Sequence, residues 1–284
     1  MMGNDLTITS FTIQNGYGDN INGELRFVKG VPNQPAVIIC HSFMAFKDWG
    51  FFPYVGEKIA RAGCAVLTFN FSLNGVKDDG KKITGFSKFE QNTFSRELHD
   101  LGVVVDAVLG NEFKIRELDP GRLIVLGHSR GGGIAIVFAS MNQHVKSLVT
   151  WSAISTFDRW TNHQKEKWKK LGHLPLSRDS AASPLRLGIG LLTELEREPD
   201  RFSILNAAGL LHIPWLLLHG KADVTVNSRE AEALYAAANK TQTDLILLDH
   251  VGHLYNATTI QQDHYQTLDH IIDLTVHWIQ RQLS

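Results

Sequence analysis

Cysteine is scarce in this chain, whose 284 residues include only two, Cys40 and Cys64. A disulfide framework is not expected at this count and length. Each cysteine borders an apolar run, so we expect both to be buried thiols that behave as small hydrophobic side chains. Neither is placed in a turn beside a candidate base, which argues against a cysteine nucleophile.

Long hydrophobic runs and an excess of either charge are also missing. No apolar stretch approaches the roughly 18 residues that a membrane span needs. The N-terminus has no basic segment followed by an apolar core, so we expect a cytoplasmic protein without a secretory signal. Lys and Arg total 28 against 29 for Asp and Glu, a formal net charge of −1. This balance gives no electrostatic reason to expect binding to nucleic acid or to an anionic membrane.

The distribution of apolar residues predicts an α/β fold in which residues 1–284 form one domain. Segments 6–13 and 21–28 alternate apolar and polar residues around a glycine-containing turn, which is typical of an antiparallel hairpin at a sheet edge. Short continuous apolar runs then alternate with amphipathic stretches, which indicates a mostly parallel, eight-stranded sheet with helices on both faces. The further strands are expected at 36–40, 65–71, 122–127, 147–151, 213–218 and 244–248. The helices are expected at 53–62, 92–109, 132–141, 228–239 and 262–282.

One interval, between Trp151 and Ile213, breaks this alternation because it contains no strand-like run. It is far longer than an ordinary connection between two elements. We interpret residues 155–208 as a small helical lid inserted into the main domain, with helices that pack without a role in access as the alternative. Trp160 and Trp168 are more typical of side chains that fix such a segment onto the core than of substrate contacts.

The segment 123–133 carries the most informative motif. An apolar, β-branched run leads directly into Gly-His-Ser-Arg-Gly at 127–131, and a run of small apolar residues follows. This order is typical of a strand, a sharp turn and a helix with Ser129 at the apex, where a histidine can reach its hydroxyl. The flanking glycines leave room where a Cβ would clash. A glycine-rich turn with an idle serine is the alternative.

A carboxylate that could orient a histidine follows a later strand. Asp223 lies a few residues beyond the apolar run 214–218, where capping of the following loop or helix is the alternative role. Asp158, after the strand that ends at Trp151, is a rival. Asp249 is a second rival but sits very near the end of its own strand.

The candidate base lies in the loop after the last predicted strand. His253 follows a glycine in that loop, and His250 is its rival. Both are close enough in sequence to the strand end to reach the edge of the sheet where Ser129 is expected.

Two backbone N–H groups are needed to bind the negative oxygen that develops during attack on a carbonyl. One is expected from Arg130, the residue after the candidate nucleophile. The other is expected from the loop after the strand 36–40, where Phe43 is the candidate. We interpret His41 in the same loop as structural, with an ordinary strand-end turn at His41 and Ser42 as the alternative.

Together these motifs resemble the α/β-hydrolase superfamily, and the similarity covers nearly the whole chain. Segments 41–43, 127–131, 219–223 and 252–254 stand in that family's order. More narrowly, the chain is similar to a group that includes cinnamoyl and feruloyl esterases and dienelactone-hydrolase-like proteins, which carry a small lid after the sixth core strand.

The resemblance implies roles for individual residues. Ser129 would be the nucleophile, Asp223 the acid and His253 the base, each preferred to its rivals. The amides of Phe43 and Arg130 would form the oxyanion hole. This mechanism requires no metal and no organic cofactor.

Two residues depart from the family pattern. Ser42 stands where glycine usually follows the histidine, and it adds a Cβ beside the oxyanion loop. Arg130 occupies a position where glutamine, methionine or leucine is also common. We expect its guanidinium to pair with a local carboxylate, because arginine readily makes bidentate contacts, and an acidic substrate group is the alternative partner.

The expected function is hydrolysis of small-molecule carboxylic esters through an acyl-enzyme. The same constellation would also serve a peptidase, a thioesterase or a lactone hydrolase, because fold and triad do not fix the substrate. A non-catalytic binding protein on the same scaffold is a further alternative, against which the presence of all three residues argues. Whether the chain is a monomer or a homodimer stays open.

Overall fold

An eight-stranded sheet forms the centre of the computed structural model, which describes residues 5–77, 82–176, 185–257 and 265–283. Two further short strands pair with each other outside this sheet. The strands are β1 (Leu6–Gln14), β2 (Asn20–Val28), β3 (Gln34–Cys40), β4 (Ala65–Phe69), β5 (Leu118–His128), β6 (Val145–Trp151), β7 (His173–Pro175), β8 (Arg186–Gly188), β9 (Trp215–Gly220) and β10 (Thr243–Leu248).

The strand order is β1-β2-β4-β3-β5-β6-β9-β10. β2 runs antiparallel to both of its neighbours, β1 and β4. The remaining pairs, from β4 across to β10, are parallel. The predicted edge hairpin and the mostly parallel eight-stranded sheet are therefore confirmed.

Helices cover both faces of the sheet, as predicted. They are α1 (Phe52–Arg61), α2 (Phe86–Glu90), α3 (Phe94–Leu109), α4 (Arg130–Met141), α5 (Asn162–Leu171), α6 (Ile189–Arg197), α7 (Ile204–Gly209), α8 (Arg229–Ala237) and α9 (Gln266–Leu283).

Alternate residues of the central strands supply two hydrophobic clusters on opposite faces of the sheet. In β3, Ala36 and Ile38 belong to one cluster, and Val37 and Ile39 belong to the other. The first cluster includes side chains of α3 and α4, and the second includes side chains of α1 and α9. Because successive side chains of a strand point to opposite faces, a strand covered on both sides must be apolar throughout. β3 is buried along its whole length, which explains the unbroken apolar run from Pro35 to Cys40 that follows Gln34.

Helix and strand ends differ from the predicted ones by a few residues. β5 begins at Leu118 rather than 122, and its register against β3 shifts beside Pro35. The Thr93 side chain accepts a hydrogen bond from the Arg96 N–H and sets the start of α3. In the last predicted helix, residues 262–264 lie outside the described residues.

Within the described ranges, none of the helices combines the length and the apolar character that a membrane crossing requires.

The expectation that no strand lies between Trp151 and Ile213 is wrong. β7 and β8 pair antiparallel inside the interval interpreted as a lid. Each strand is three residues long, too short for an alternating pattern to be visible in the sequence. Residues 177–184, which belong to the same predicted lid, lie outside the described residues.

The interval packs onto the main core through Trp168 of α5. This side chain is fully buried, and its ring meets the ring of Trp160 edge-on at 5.0 Å between centroids. It belongs to the same hydrophobic cluster as the side chains of β3 and α4 on that face of the sheet. The role in packing that the sequence indicated for Trp168 is therefore confirmed.

Replacing Trp168 by alanine would remove a large, fully buried side chain from this contact. We expect the free energy of unfolding to fall by about 3–5 kcal/mol, because the lost burial is compounded by a cavity. Urea-induced unfolding measures the change. Leu171→Ala on the same helix is the control: Leu171 is exposed, so its loss is expected to stay below about 1 kcal/mol. Equal losses in the two variants would contradict the packing described here.

Candidate active site

Ser129 lies at a sharp turn between the end of β5 and the start of α4. Its backbone has φ 56° and ψ −119°, a positive-φ conformation that non-glycine residues rarely adopt. The turn is held by hydrogen bonds: the Ser129 N–H donates to the Trp151 carbonyl at 2.9 Å, and the Ser129 carbonyl accepts from Gly132 at 3.0 Å. Such strain is kept where the surrounding structure enforces it, commonly at functional sites.

The two glycines of the motif permit close backbone contacts. A Cβ at Gly127 would lie 2.4 Å from the Gly131 carbonyl oxygen, and a Cβ at Gly131 would lie 2.4 Å from the His41 carbonyl oxygen. Neither neighbour is a side-chain end that could move aside. The room that the sequence assigned to these glycines is therefore required inside the turn at Gly127, and between the turn and the end of β3 at Gly131.

Asp223 and His253 are in direct contact. The His253 Nδ1 lies 2.7 Å from the Asp223 Oδ2. The other carboxylate oxygen, Oδ1, accepts the N–H groups of Thr225 at 2.9 Å and Val226 at 2.8 Å. The Asp223 side chain has no exposed surface, whereas that of His253 is 13% exposed. The carboxylate thus fixes the orientation of the imidazole while the ring keeps access to the surface.

The contacts of Asp223 hold it in the ionised form. Burial by itself would raise the pKa of this carboxyl. The hydrogen bonds from His219, His253 and the Val226 N–H outweigh burial and hold the pKa well below its ordinary value.

Ser129 and His253 line one cavity of about 340 Å³. Among the described residues, no hydrogen bond joins the two side chains. Such contacts are often long without substrate and shorten only in the reacting complex. The residues that line the cavity are Ser42, Phe43, Trp49, Phe94, Ser129, Arg130, Ile154, Phe157, Arg159, Trp160, Thr225, Val226, His253 and Leu254.

The rival residues lie away from this cavity. Asp158 pairs with Lys165, and Asp249 pairs with Lys221 at 2.8 Å on the surface. His250 is exposed at a positive φ and does not contribute to the cavity wall. The geometry therefore brings together Asp223 and His253, and not their rivals.

His41 has the structural role that the sequence indicated. Its Nδ1–H donates to the Ser42 carbonyl at 2.9 Å, and its Nε2 accepts the Phe71 N–H at 3.3 Å. Burial, together with the nearby Arg130 charge, lowers the pKa of His41 to about 4. A neutral imidazole with both nitrogens engaged holds the loop after β3 and has no free basic nitrogen.

Two further histidines surround the Asp223–His253 pair, and sequence reasoning missed both. The His128 ring lies 4.8 Å from the His253 ring, centroid to centroid, and its Nε2–H donates to the His253 carbonyl at 3.1 Å. The His219 Nε2–H donates to the Val226 carbonyl at 2.9 Å and lies 3.4 Å from the Asp223 Oδ2. Both stand inside the motifs. The contact of His128 reaches the loop after another strand and leaves no local signal, whereas His219 contacts residues four and seven positions further along its own loop.

The loop after β3 and the start of α4 provide the two candidate oxyanion donors. Phe43 and Arg130 both line the cavity beside Ser129. In the described part of the chain, neither backbone N–H has a hydrogen-bond acceptor. Two N–H groups without acceptors at the wall of a cavity can donate hydrogen bonds to a negative oxygen.

The Arg130 side chain pairs with a carboxylate, as the sequence indicated. Its Nη2 lies 2.8 Å from the Glu97 Oε1, and its Nε donates to the Glu97 Oε2 at 3.1 Å. The Asn92 amide also donates to the Glu97 Oε1, at 2.7 Å. Burial raises the pKa of Glu97, and Arg130 and Asn92 oppose that effect. Acidic substrate groups would have to compete with this buried pair.

Comparison with protein-family models identifies the alpha/beta hydrolase fold, whose model matches residues 35–178, just over half of the chain. No curated protein sequence matches the chain.

Solved structures resemble the whole chain at low sequence identity. The alpha/beta hydrolase GrgF from Penicillium sp. sh18 is 15% identical, with 98% of this chain and 99% of that chain covered and a TM-score of 0.71. Est1E from Butyrivibrio proteoclasticus, solved with ferulic acid bound, is 19% identical, with 95% and 99% covered and a TM-score of 0.69. The dienelactone hydrolase from Anabaena variabilis ATCC 29413 is 16% identical, with 97% and 98% covered and a TM-score of 0.63. At these identities the likeness is one of fold.

Replacing His128 by asparagine would remove a group that titrates differently in the folded and unfolded states. Burial lowers the pKa of His128 to about 3, whereas an unfolded-chain histidine has a pKa near 6.5. Between these values the unfolded state binds the extra proton, so this residue makes the wild-type free energy of unfolding fall by about 1.4 kcal/mol per pH unit as pH decreases. We expect the variant to lose that part of the slope, measured by urea unfolding between about pH 4.5 and 6.

His41→Asn is the companion variant. Because the pKa of His41 is lowered to about 4, its loss should flatten the same profile over a narrower pH range. Unchanged slopes in both variants would contradict two buried, neutral imidazoles.

Proposed function

The chain belongs to the α/β-hydrolase family, and on that premise we propose that it is a serine hydrolase that cleaves carboxylic esters through an acyl-enzyme. The observation that carries the proposal is the 2.7 Å contact between the His253 Nδ1 and the buried Asp223 carboxylate, beside a cavity that Ser129 shares with His253. Family membership supports hydrolase activity in general. That the cleaved bond is a carboxylic ester is proposed in addition.

In the first step His253 takes the proton of the Ser129 hydroxyl as the Oγ attacks the ester carbonyl carbon. The tetrahedral intermediate carries its negative charge on the former carbonyl oxygen. The Nδ1–H of the imidazolium that forms stays hydrogen-bonded to Asp223. The low pKa of Asp223 keeps this carboxylate charged. Asp223 therefore stabilises the imidazolium of His253 without accepting its proton.

The amides of Phe43 and Arg130 are proposed to bind the oxyanion. The N–H of Arg130 lies at the first position of α4, where the helix dipole also favours negative charge. Donors fixed in this way act on the charge that develops in the transition state and need no reorganisation during the reaction.

Collapse of the intermediate transfers the His253 proton to the leaving alcohol and leaves the acyl group on Ser129. Water then attacks the acyl carbon as His253 takes one of its protons. The bond from that carbon to the Ser129 Oγ breaks, His253 returns the proton to the Oγ, and the carboxylic acid is released. Each proton taken by His253 is returned, so the cycle needs no cofactor.

A small, neutral ester is the substrate class that the cavity fits best. Its wall is largely aromatic, with Phe43, Trp49, Phe94, Phe157 and Trp160 among the lining residues. A volume of about 340 Å³ lies at the lower end of the usual range for small-molecule sites. Ferulic acid in Est1E shows that one structural relative accommodates an aromatic acid.

The interval 155–208 is proposed to act as a lid within a single domain. Phe157, Arg159 and Trp160 from this interval line the cavity that contains Ser129 and His253. Their position in the cavity wall supports a role for the interval in substrate access, in addition to the packing provided by Trp168.

The same residues could open a lactone or a thioester, and the dienelactone hydrolases among the structural relatives favour testing a lactone. Initial rates on matched ester, thioester and lactone substrates decide between them. Tight ligand binding with no turnover on any of these would favour a non-catalytic binding protein.

Ser129→Ala tests the nucleophile. We expect the wild type to form a covalent adduct with a fluorophosphonate and the variant to form none, because the alanine has no oxygen to be phosphonylated. Intact-protein mass spectrometry measures the adduct, and near-complete loss of ester hydrolysis should accompany it. Persistent labelling of the variant would exclude Ser129 as the nucleophile.

Asp223→Asn tests the orienting carboxylate. We expect kcat to fall by about 10³–10⁴-fold with a smaller change in KM, because the amide favours the wrong imidazole tautomer. Asp249→Asn is the matched control, since Asp249 is an exposed carboxylate after β10 that pairs with Lys221. A loss in kcat that is similar in both variants would argue against the assignment of Asp223.

A further inference from the structure

Arg130 occupies an unusual position in the candidate site, because its backbone N–H lies at the cavity wall while its side chain pairs with a buried carboxylate. Its N–H is one of the two candidate oxyanion donors at the start of α4. Its side chain is 9% exposed, and the paired Glu97 side chain is 7% exposed. The hydrogen bond from its Nε to Glu97, the 2.8 Å ion-pair distance between its Nη2 and the same carboxylate, and the hydrogen bond from Asn92 to that carboxylate hold the guanidinium in place.

The fixed guanidinium packs against the residue that supplies the other candidate donor. The Arg130 Cζ lies 5.0 Å from the centre of the Phe43 ring and 4.6 Å from the centre of the Phe94 ring. Both distances are within the range of attractive cation–π contacts, which are strongest where water is excluded. One side chain therefore connects the two amides that would hold the oxyanion.

Phe43 depends on such contacts for its position. It belongs to the connection between β3 and α1, outside any helix or strand, next to Met44 at φ 57°. One backbone hydrogen bond, from the Ala45 N–H to the Ser42 carbonyl at 3.2 Å, closes the turn around it, and the His41 Nδ1–H donates to the same carbonyl. Its ring also meets Phe89 at 5.9 Å between centroids. The direction of the Phe43 N–H is thus set in part by where its ring is held.

We propose that the Arg130 side chain is a positioning residue for the oxyanion hole, holding the Phe43 amide in register with the Arg130 amide through its cation–π contact with the Phe43 ring. The inference rests on the proposed function, since an oxyanion hole has a role only in acyl transfer. It gives the Arg130–Glu97 pair a function beyond stability.

Arginine is suited to this role by its shape. Its planar group can form two hydrogen bonds to one carboxylate along an edge while its face lies on an aromatic ring. A lysine would keep the charge next to Glu97 and the attraction to the ring, but without the fixed plane. A neutral side chain would leave Phe43 free to shift and Glu97 buried without its partner.

The double variant Arg130→Met, Glu97→Gln removes the guanidinium without leaving an unpaired buried carboxylate. We expect kcat on a chromogenic ester to fall roughly 10–100-fold while KM changes less than about threefold, because the amides act mainly on the transition state. Affinity for a trifluoromethyl ketone, which forms a tetrahedral adduct on the serine, should fall by the same factor as kcat/KM. Arg130→Lys should retain more of kcat than the methionine variant.

A coupling test asks whether Arg130 acts through Phe43. Phe43→Leu keeps the backbone N–H and removes the ring, so it should lower ketone affinity as the arginine variant does. Combining it with Arg130→Met, Glu97→Gln should then add less than about threefold further loss, because the two changes break one contact. Independent, multiplying losses would overturn the proposal.

Arg96→Met is the matched control on the same helix as Glu97. The Arg96 guanidinium lies 4.3 Å from the Tyr17 ring and pairs with Asp19 at 2.7 Å, the same chemistry outside the cavity. We expect its kcat and ketone affinity to match the wild type. Kinetics are to be expressed per active site titrated with a fluorophosphonate, and thermal unfolding is to be recorded for every variant.

Three results would count against the inference. Wild-type kcat and ketone affinity in the Arg130 variants would overturn it, and so would losses that disappear when rates are expressed per titrated site, since those indicate a structural role alone. A wild-type protein that neither labels nor hydrolyses esters would overturn the proposed function and this inference with it. The first of these results, if the wild type is labelled by the fluorophosphonate, would overturn only the inference and leave the proposed function unaffected.

Discussion

The close approach between the Ser129 turn and the end of β3 is the constraint on which the rest of the site depends. Backbone atoms meet there directly, and a Cβ at Gly131 would lie 2.4 Å from the His41 carbonyl oxygen. This contact places the loop that carries Phe43 beside the first turn of α4, so that both candidate amides border one cavity. The positive φ of Ser129 costs on the order of 1–3 kcal/mol. The buried strands on either side of β5 and the hydrogen bonds to the Ser129 backbone hold it in place.

The second half of the site is organised around the charge of Asp223. A fully buried carboxylate is costly unless donors surround it, and here backbone and imidazole N–H groups do so. His128 stays uncharged beside this pair, since burial lowers its pKa to about 3. It can therefore donate a hydrogen bond to the His253 backbone without adding a positive charge that would compete with the imidazolium of the proposed mechanism. The neutral His128 thus supports the geometry of the site, and the charge beside His253 is that of Asp223.

The sequence was sufficient to predict what depends on short-range patterns. Continuous apolar runs predicted the parallel strands, and the glycines around Ser129 predicted a turn that the structure contains. Asp223 and His253, 30 residues apart, were linked only through chain order and resemblance, and the structure brings them into contact. Three features left no local signal. β7 and β8 are three residues long, His128 contacts the loop after a different strand, and the contact of Arg130 with Phe43 joins residues that are distant along the chain.

The balance of charge around the cavity explains why its selectivity should depend on shape. Two guanidinium groups line the wall, but Arg130 is paired with Glu97, and Arg159 is paired with Glu230 at 2.8 Å. An anionic acyl group would have to share or break one of these pairs, and taking Arg130 would leave the buried Glu97 without its partner, which costs several kcal/mol. Aromatic rings make up much of the remaining wall and offer dispersion and stacking rather than charge. We therefore expect the shape of the aromatic wall to determine which substrates fit. Two of its rings, Phe157 and Trp160, come from the inserted interval.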